Sequence, residues 1–537
     1  MTIARLEQWV TVQAGLRPDA PAVVLDGDAL SYGELDVLST RLARRLIRDG
    51  CRKGDRVALL MPKSPLAIAS IVAIYKAGAV YVPLDPAGPA GRLATICESA
   101  APRWILSAGG AAAMLAELAR IEAVRDPMRV AWLEFGAPPE MPVPVALTRA
   151  EVEVESAASL PAAGAGQDAA HILFTSGSTG APKGVVITHA NVIPFVEWAV
   201  SYFDMRPGER NSGHPPLHFD LSMLDIFGTF ASGGELHLVP PELGMLAHRL
   251  AEFIRSRALA QWFSVPSLLN YLAAFDAVRM HDFPHLRRLL WCGEVFPTPA
   301  LMYWMRRLPH VRFTNLYGPT ETTIASSYYT VPACPDEETA AVPIGTACPG
   351  EALLVLDEEL RPAPAGEVGE LYIGGAGLSP GYWGDPARTA AAFVADPRTG
   401  ERLYRTGDLA RVGHDGLAYF HGRTDTQIKS RGYRIELGEI ETAVRKLDGV
   451  ADCAVVAVPS DGFEGAVICC AYVARPGAGL APAPLRAALS RVLPGYMLPF
   501  RWLALGSLPT NANGKTDRRT LQQAFQALRT GEAQPSR

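Results

Sequence analysis

Glycines, hydroxyl side chains and one lysine crowd into a short run that is suited to binding phosphate. Residues 174–184 read Phe-Thr-Ser-Gly-Ser-Thr-Gly-Ala-Pro-Lys-Gly and follow an apolar run typical of a β-strand. Glycines let backbone N–H groups approach an anion closely, while hydroxyl groups and an ammonium add hydrogen-bond donors and positive charge. The run is not a Walker A loop, because Lys183 follows a proline rather than a glycine. It therefore indicates a phosphate-binding loop of another kind.

Seven further short runs, placed before and after this loop, are spread along nearly the whole chain. They are residues 30–35 (Leu-Ser-Tyr-Gly-Glu-Leu), 75–85 (Tyr-Lys-Ala-Gly-Ala-Val-Tyr-Val-Pro-Leu-Asp), 219–222 (Phe-Asp-Leu-Ser), 315–321 (Asn-Leu-Tyr-Gly-Pro-Thr-Glu), 404–409 (Tyr-Arg-Thr-Gly-Asp-Leu), 422–425 (Gly-Arg-Thr-Asp) and 513–518 (Asn-Gly-Lys-Thr-Asp-Arg). With the phosphate-binding run, this ordered set resembles the adenylate-forming superfamily, and specifically the amino-acid adenylation domains of non-ribosomal peptide synthesis. The resemblance implies a ligase that uses ATP and Mg²⁺ to make an aminoacyl adenylate.

The resemblance assigns the nucleotide site to side chains from several of these runs. The ring of Tyr317 suits adenine. Asp408 would accept hydrogen bonds from the ribose hydroxyls, with Arg423 nearby. Glu321 would bind Mg²⁺, which prefers hard oxygen ligands next to phosphates. The implied nucleotide-binding set is Thr175, Ser176, Gly177, Ser178, Thr179, Gly180, Lys183, Asn315, Tyr317, Gly318, Thr320, Asp408, Arg423 and Lys515. The implied catalytic set is Lys515, Thr175, Lys183 and Glu321.

Lys515 matches the lysine that the family places between the substrate carboxylate and the α-phosphate during adenylation. Negative charge builds on the phosphorane oxygens as the carboxylate attacks, so a fixed cation stabilises the transition state more than the ground state. In the second half-reaction this lysine must leave so that a thiol can enter. The resemblance therefore implies a C-terminal domain that rotates about a hinge at Asp425.

Asp220 matches the carboxylate with which family members pair the α-ammonium of an amino acid. A carboxylate in an apolar pocket implies a cationic partner, because burying it unpaired is costly. The structural alternative is that Asp220 caps a helix that begins at the next residue. The implied substrate-binding positions are Asp220, Leu221, Leu224, Ser264, Leu290, Cys292, Leu316, Ile324 and Ala325.

The lining of this implied pocket is small and apolar. It offers no second charge for an acidic or basic side chain, and its leucines leave less room than an aromatic substrate needs. The selection resembles that of free-standing L-proline-activating domains, although Ser264, Cys292 and Ala325 depart from their pattern. The run Cys-Gly-Glu-Val at residues 292–295 also resembles D-alanine-activating ligases. We therefore expect L-proline as the substrate, with D- or L-alanine as the alternative.

The acyl acceptor is inferred from motifs that the sequence lacks. The short remainder after Lys515 holds no Gly-Gly-x-Ser carrier site, and no His-His condensation motif occurs. We therefore expect transfer to the phosphopantetheine thiol of a separate carrier protein, with coenzyme A, and hence an acyl-CoA synthetase of the same superfamily, as the alternative. A transfer-RNA ligase would carry His-x-Gly-His and Lys-Met-Ser-Lys-Ser motifs, which are absent. A non-catalytic ATP-binding module conflicts with the presence of Lys515 and Glu321.

The charge and hydropathy of the sequence limit the kinds of partner that we expect. The net charge of −5 and the pI near 6.2 offer no basic field for a polyanion, so nucleic acid is not an expected partner. No signal-peptide pattern opens the sequence, and no uncharged apolar stretch reaches about 18 residues. We therefore expect a cytoplasmic protein that does not bind membranes. The eight cysteines show no metal-ligand spacing, which favours reduced thiols.

A chain of 537 residues is too long for one ordinary domain, so these residues must be positioned by at least two. Apolar β-like runs alternate with amphipathic segments, as at residues 56–61 and 66–76, which favours parallel sheets covered by helices. After about residue 350 short strands with close turns follow one another. We predict an α/β fold: residues 1–425 form a large N-terminal domain of parallel-rich sheets with flanking helices plus a small β subdomain, and residues 426–537 form a small mobile α+β C-terminal domain that carries Lys515.

Overall fold

The structure is a computed structural model that describes residues 2–125, 128–177, 180–459, 466–510 and 516–530. The chain divides into two compact units. The first comprises residues 1–86, 97–174 and 184–424, and the second comprises residues 87–96, 175–183 and 425–537.

Strands up to residue 424 form three sheets. They are β1 (Pro21–Leu25), β2 (Asp28–Ser31), β3 (Arg56–Leu60), β4 (Val80–Pro83), β5 (Trp104–Ser107), β6 (Arg129–Trp132), β7 (Val145–Thr148), β8 (Ala169–Thr175), β9 (Lys183–Thr188), β10 (Arg210–Gly213), β11 (Glu235–Leu238), β12 (Gln261–Ser264), β13 (Arg288–Cys292), β14 (Arg312–Tyr317), β15 (Ser327–Thr330), β16 (Thr346–Ala347), β17 (Glu351–Leu356), β18 (Val368–Gly375), β19 (Gly381–Tyr382), β20 (Phe393–Ala395), β21 (Arg402–Val412) and β22 (Ala418–Arg423).

The helices that begin in the same part of the chain are α1 (Gln8–Leu16), α2 (Tyr32–Arg48), α3 (Pro65–Lys76), α4 (Ala90–Ala100), α5 (Ala112–Leu118), α6 (Glu122–Arg125), α7 (Arg149–Glu153), α8 (His189–Tyr202), α9 (Leu221–Met223), α10 (Thr229–Ser232), α11 (Ala247–Ser256), α12 (Pro266–Ala274), α13 (Thr298–Arg307) and α14 (Pro386–Ala392). Between α9 and α10 the chain forms a π-helical turn, Leu224–Gly228. Short 3₁₀ turns cover Gly109–Ala111, Pro241–Met245 and Thr320–Thr322.

Two of the three sheets are large and mostly parallel. One runs β16-β15-β14-β13-β12-β10-β11-β1-β2, and the other runs β19-β9-β8-β4-β3-β5-β6-β7. In the nine-stranded sheet the pairs from β1 through β11, β10, β12 and β13 to β14 are all parallel. The third sheet runs β17-β18-β21-β20, with β22 paired to β21, and its described pairs are antiparallel. It is the small β subdomain.

Local sequence explains why these elements form. Ser31 caps α2 in a capping box with Glu34, and the leucines that recur along α2 at helical spacing are buried. Ser64 caps α3, whose first residue is Pro65, and nearly every α3 side chain is buried. Strands β12 and β13 are buried along their whole length, as is typical of strands inside a parallel sheet.

The second unit has its own small core. From Asp425 onward it contains β23 (Gln427–Ser430), β24 (Tyr433–Glu436), α15 (Leu437–Arg445), β25 (Val450–Pro459), β26 (Ala466–Ala474), α16 (Pro482–Leu489), β27 (Arg501–Leu505) and α17 (Arg518–Thr530), with a 3₁₀ turn at Gly495–Met497. Strands β25, β26 and β27 form one sheet, and β23 pairs with β24. The predicted α/β fold, with large parallel-rich sheets, a β subdomain and a smaller α+β part, is confirmed. The boundary at residue 425 and the mobility of the C-terminal domain stay predictions.

Candidate functional site

Tyr317, Asp408 and Arg423 meet at one point of the first unit. Tyr317 ends β14, and the register of β21 with β22 places Asp408 opposite Arg423. The Tyr317 hydroxyl and the Arg423 guanidinium both donate to the Asp408 carboxylate. The structure therefore brings together three residues that sequence reasoning assigned to adenine and ribose from separate motifs.

Burial fixes the protonation state of Tyr317 in this cluster. Asp408 is 2% exposed and Tyr317 is 6% exposed. Desolvation raises the pKa of Tyr317 well above its usual value, and the neighbouring Asp408 carboxylate raises it further. Tyr317 is therefore a neutral hydrogen-bond donor at physiological pH. Thr406, which sequence reasoning missed, also holds the cluster, because its Oγ1 accepts from Asp408 N at 2.9 Å and its carbonyl from Arg423 at 3.1 Å.

The neighbours of Tyr317 are constrained by close packing. Asn315 donates from its side-chain amide to the Pro343 carbonyl at 2.8 Å. At Gly318 a Cβ would lie 2.6 Å from Ala325 Cα, so a larger residue would push the chain apart. Thr320 begins the 3₁₀ turn that carries Glu321.

Glu321 is completely buried and is held by residues 379–382. The Tyr382 hydroxyl donates to Glu321 Oε1 at 2.8 Å, and Ser379 N donates to the Glu321 carbonyl at 2.9 Å. Sequence reasoning missed both partners, since nothing local marks them. Mg²⁺ beside phosphates is commonly bound by one or two carboxylates plus water, and the oriented carboxylate of Glu321 fits one such ligand. Among the described residues no group of three or more His, Cys, Asp or Glu side chains is arranged around a common metal position.

The backbone directly after Glu321 is strained. Thr323 and Ile324 have φ angles of 60° and 65°, which β-branched residues rarely adopt. Thr323 Oγ1 donates to the Gly377 carbonyl at 2.7 Å, and a Cβ on Gly377 would come within 2.5 Å of the Thr322 carbonyl oxygen. This close approach holds the strained residues in place, next to the proposed metal ligand.

The phosphate-binding run belongs to the second unit for the most part. Thr175 ends β8, and its Oγ1 is buried without a hydrogen-bond partner among the described residues. Ser176 Oγ donates to the Arg434 carbonyl at 2.6 Å, and Gly177 N donates to Glu439 Oε2 at 3.2 Å. A backbone N–H of this loop thus binds a carboxylate of the protein, and binding of phosphate by the loop stays a prediction.

Other predicted phosphate-site residues are located only in part. Gly180 has a φ of 86°, a conformation that favours glycine. Lys183 begins β9. Ser178, Thr179 and Lys515 lie outside the described residues, so their predicted roles are untested.

Asp220 lies at the entrance of a short helix. It precedes α9 with a φ of −61°, and its side chain makes no capping hydrogen bond to that helix. The alternative role as a helix cap is therefore not supported. Leu221 and Leu224 follow in α9 and the π-helical turn, whose residues are all buried.

The apolar positions predicted to line the substrate pocket share one buried cluster. Cys292 pairs with Leu316 in the register of β13 with β14, and Leu290 lies two residues earlier on the same face. The members of the predicted lining that lie in this cluster are Leu221, Leu224, Leu290, Cys292, Leu316, Ile324 and Ala325. Ser264 is fully buried but pairs with Trp291. Because successive residues of a strand face opposite sides of the sheet, Ser264 lies on the face opposite to that of Leu290 and Cys292.

Three further predictions concern the hinge, the thiols and membranes. Asp425 Oδ1 accepts from Gln427 N at 3.1 Å, which closes a turn just before β23; its role as a hinge stays a prediction.

All eight cysteines are described and none is paired in a disulfide. Among the described residues, every helix is too short or too polar to cross a bilayer.

Comparison with known proteins places the chain among nucleotide-dependent enzymes. The sequence profile of the AMP-binding enzyme family matches residues 10–383, and that of the AMP-binding enzyme C-terminal domain matches residues 439–515. Novobiocin biosynthesis protein H of Streptomyces niveus is 35% identical over 516 residues, which cover 95% of this chain and 81% of that protein. Tyrocidine synthase 3 of Brevibacillus parabrevis is 35% identical over 529 residues, which cover 98% of this chain and 8% of that protein.

Several of these relatives are much longer. The chain spans 19% of plipastatin synthase subunits C and A of Bacillus subtilis. Among solved structures, the Vibrio cholerae adenylation domain AlmE in complex with glycyl-adenosine-5'-phosphate matches with a TM-score of 0.85 at 26% identity, covering 98% of each chain. PA1221, which contains adenylation and PCP domains, matches with a TM-score of 0.78 at 28% identity, covering 97% of this chain and 84% of that one. On the profile match and the shared fold, the chain belongs to the AMP-binding enzyme family.

Proposed function

We propose that the chain activates a small amino acid with ATP and passes the resulting acyl group to a carrier-protein thiol. The observation that carries the proposal is the placement of Asp220. It is the one acidic residue of the predicted lining, and the residues that follow it enter the buried apolar cluster with the rest of that lining. A carboxylate at the edge of an apolar surface suits a zwitterion bound by its ammonium.

The nucleotide would be bound by the cluster around Asp408. The Tyr317 ring offers a flat face for adenine, and Asp408 offers carboxylate oxygens to the ribose hydroxyls. Arg423 and Tyr317 hold that carboxylate in one orientation, so little freedom is lost on binding. Glu321 would hold Mg²⁺, which when bound neutralises charge on the ATP phosphates.

The phosphate groups would be bound by Thr175, Ser176, Gly177, Gly180 and Lys183, together with Ser178 and Thr179. The buried Thr175 Oγ1 supports this proposal, since a hydroxyl that no described residue binds can serve a ligand oxygen. Lys515 would stabilise the negative charge that grows on the α-phosphate as the substrate carboxylate attacks.

L-proline is the proposed substrate, and the small apolar lining supports it. Leu290, Cys292 and Leu316 bring aliphatic or sulfur surface and no charge to their face of the sheet. Alanine, in its D or L form, stays the second candidate, because such a lining accepts a methyl side chain as well. The proposed acceptor is the phosphopantetheine thiol of a carrier protein, in keeping with the PCP domain that PA1221 contains.

ATP–pyrophosphate exchange tests the proposal. The assay compares the twenty amino acids, D-alanine, β-alanine and simple carboxylic acids, each with and without Mg²⁺. We expect L-proline to give the highest exchange. Exchange supported by simple acids and not by amino acids would refute amino-acid activation and favour the acyl-CoA synthetase alternative. Mass spectrometry of a supplied phosphopantetheinylated carrier protein and of coenzyme A then identifies the acceptor.

Matched aspartate variants test the ammonium-binding role. Asp220→Ala should abolish exchange with the preferred amino acid, because the ammonium loses its counter-charge. Asp28→Ala, which removes an exposed carboxylate at the start of β2, should leave exchange unchanged. Equal activity of the two variants would remove the reason for expecting an ammonium at this position.

A further inference from the structure

The segment that carries Asp220 is fastened by a lysine from another sheet. We call residues 213–220 the Asp220 loop; it leaves the end of β10 and ends where α9 begins. Lys63, which lies between β3 and α3, donates from Nζ to the Gly213 carbonyl at 2.6 Å and to the His214 carbonyl at 2.8 Å. The first two carbonyl groups of the loop are therefore bound by one ammonium.

A tyrosine fastens the same loop nearer to Asp220. The Tyr81 hydroxyl donates to the Leu217 carbonyl at 3.2 Å, and Tyr81 itself is fully buried on β4. Strands β3 and β4 belong to the eight-stranded sheet, whereas β10 belongs to the nine-stranded sheet. The Asp220 loop is thus held across the two large sheets of the first unit by Lys63 and Tyr81.

Asp225 also holds the loop, through a backbone N–H. It is 1% exposed on the π-helical turn, and its Oδ2 accepts from His214 N at 3.2 Å. Burial lowers the pKa of Lys63 to about 7, and the opposite charge of Asp225 works against that change. His214 is therefore bound through its carbonyl by Lys63 and through its N–H by Asp225.

We propose that Lys63 and Tyr81 are positioning residues for the substrate ammonium, because the loop carbonyls they bind fix where the Asp220 carboxylate stands. The inference rests on the proposed function of Asp220. A charge pair in a pocket is sensitive to displacement, and a shift of about 1 Å in a positioned group can cost about a hundredfold in rate. Neither residue needs to touch the substrate.

Tyr81→Phe is the sharpest test, since it removes one hydroxyl and keeps the buried ring. We expect KM for the amino acid to rise about three- to tenfold, the effect of one lost hydrogen bond, while KM for ATP stays unchanged. Lys63→Met removes two hydrogen bonds and should raise the KM for the amino acid further. Tyr32→Phe is the matched control, because Tyr32 is equally buried and its hydroxyl donates to the Gly234 carbonyl at 2.7 Å, outside the loop.

A substrate analogue separates positioning from general damage. The carboxylic acid that matches the preferred amino acid but lacks its nitrogen has no ammonium to pair with Asp220. We expect Tyr81→Phe to leave the inhibition constant of this analogue unchanged while it weakens binding of the amino acid. An equal loss for analogue and amino acid, the same change in Tyr32→Phe, or an unchanged KM in Tyr81→Phe would each overturn the inference. If the unaltered protein shows no exchange dependent on amino acids, the proposed function fails instead.

Discussion

Glu351 gives a prediction that depends on the fold alone. Its Oε1 accepts from Gly377 N at 2.7 Å, while its Oε2 is buried without a hydrogen-bond partner among the described residues. Burial raises the pKa of Glu351 to about 7, although the hydrogen bond from Gly377 acts in the opposite direction. The folded protein therefore holds a proton on Glu351 at pH values where the unfolded chain has lost it.

The sign and size of the effect follow from this difference. Between the ordinary pKa of 4.5 and the folded value of about 7, the native state binds more protons, so the free energy of unfolding falls as pH rises. At about 1.36 kcal/mol per pKa unit the full penalty above pH 7 would reach about 3.4 kcal/mol. The side chain is only partly shielded from solvent, so we expect about 2 kcal/mol.

Glu351→Gln keeps an oxygen acceptor for Gly377 N but cannot ionise. Relative to the unaltered protein, its free energy of unfolding should gain about 1.5 kcal/mol between pH 5 and pH 8, because the rest of the change falls below pH 5. Urea unfolding followed at both pH values measures this change. Glu358→Gln, at an exposed position after β17, is the control and should show no such gain. Parallel curves for the unaltered protein and Glu351→Gln would refute the reasoning.

Three other changes give distinct outcomes. Tyr317→Phe should raise KM for ATP about tenfold and leave KM for the amino acid unchanged, because Asp408 loses a donor while the ring is kept; steady-state exchange kinetics measure both. Lys515→Ala should stop adenylation and largely spare thioester formation from supplied adenylate, whereas equal loss in both half-reactions would contradict a role limited to the first. Ser31→Ala should lower the free energy of unfolding by about 1 kcal/mol without altering kinetics, because α2 loses its N-cap, and a Thr variant should restore it.

Periodic features of the sequence were sufficient to predict the fold class. The α2 leucines recur at helical spacing and are buried, and the apolar runs that became β12 and β13 lie inside a parallel sheet as expected. The resemblance to the adenylate-forming superfamily also let Tyr317, Asp408 and Arg423 be assigned to one site, and the structure does bring these side chains together.

Contacts between distant segments could not be predicted. Tyr382 lies 61 residues from Glu321, and Lys63 lies 150 residues from Gly213, so no local pattern links either pair. The π-helical turn at residues 224–228 follows an ordinary helical pattern in sequence, since its extra residue depends on packing. Part of the division of the chain was likewise not visible: residues 87–96 and 175–183 group with the second unit although they are far from the rest of it in sequence.

The left-handed backbone at Ile324 alters what this position can become. Trimming a buried isoleucine normally costs about 2–5 kcal/mol, because a cavity is left behind. Here glycine would also release about 1–3 kcal/mol of conformational energy that a β-branched residue stores at a φ of 65°. Enlarging the predicted pocket at Ile324 would therefore carry a smaller stability penalty than at Leu290 or Leu316, whose strands have ordinary geometry. Among these three positions of the predicted pocket, Ile324 is therefore the one where a change that admits a bulkier substrate would be tolerated most easily.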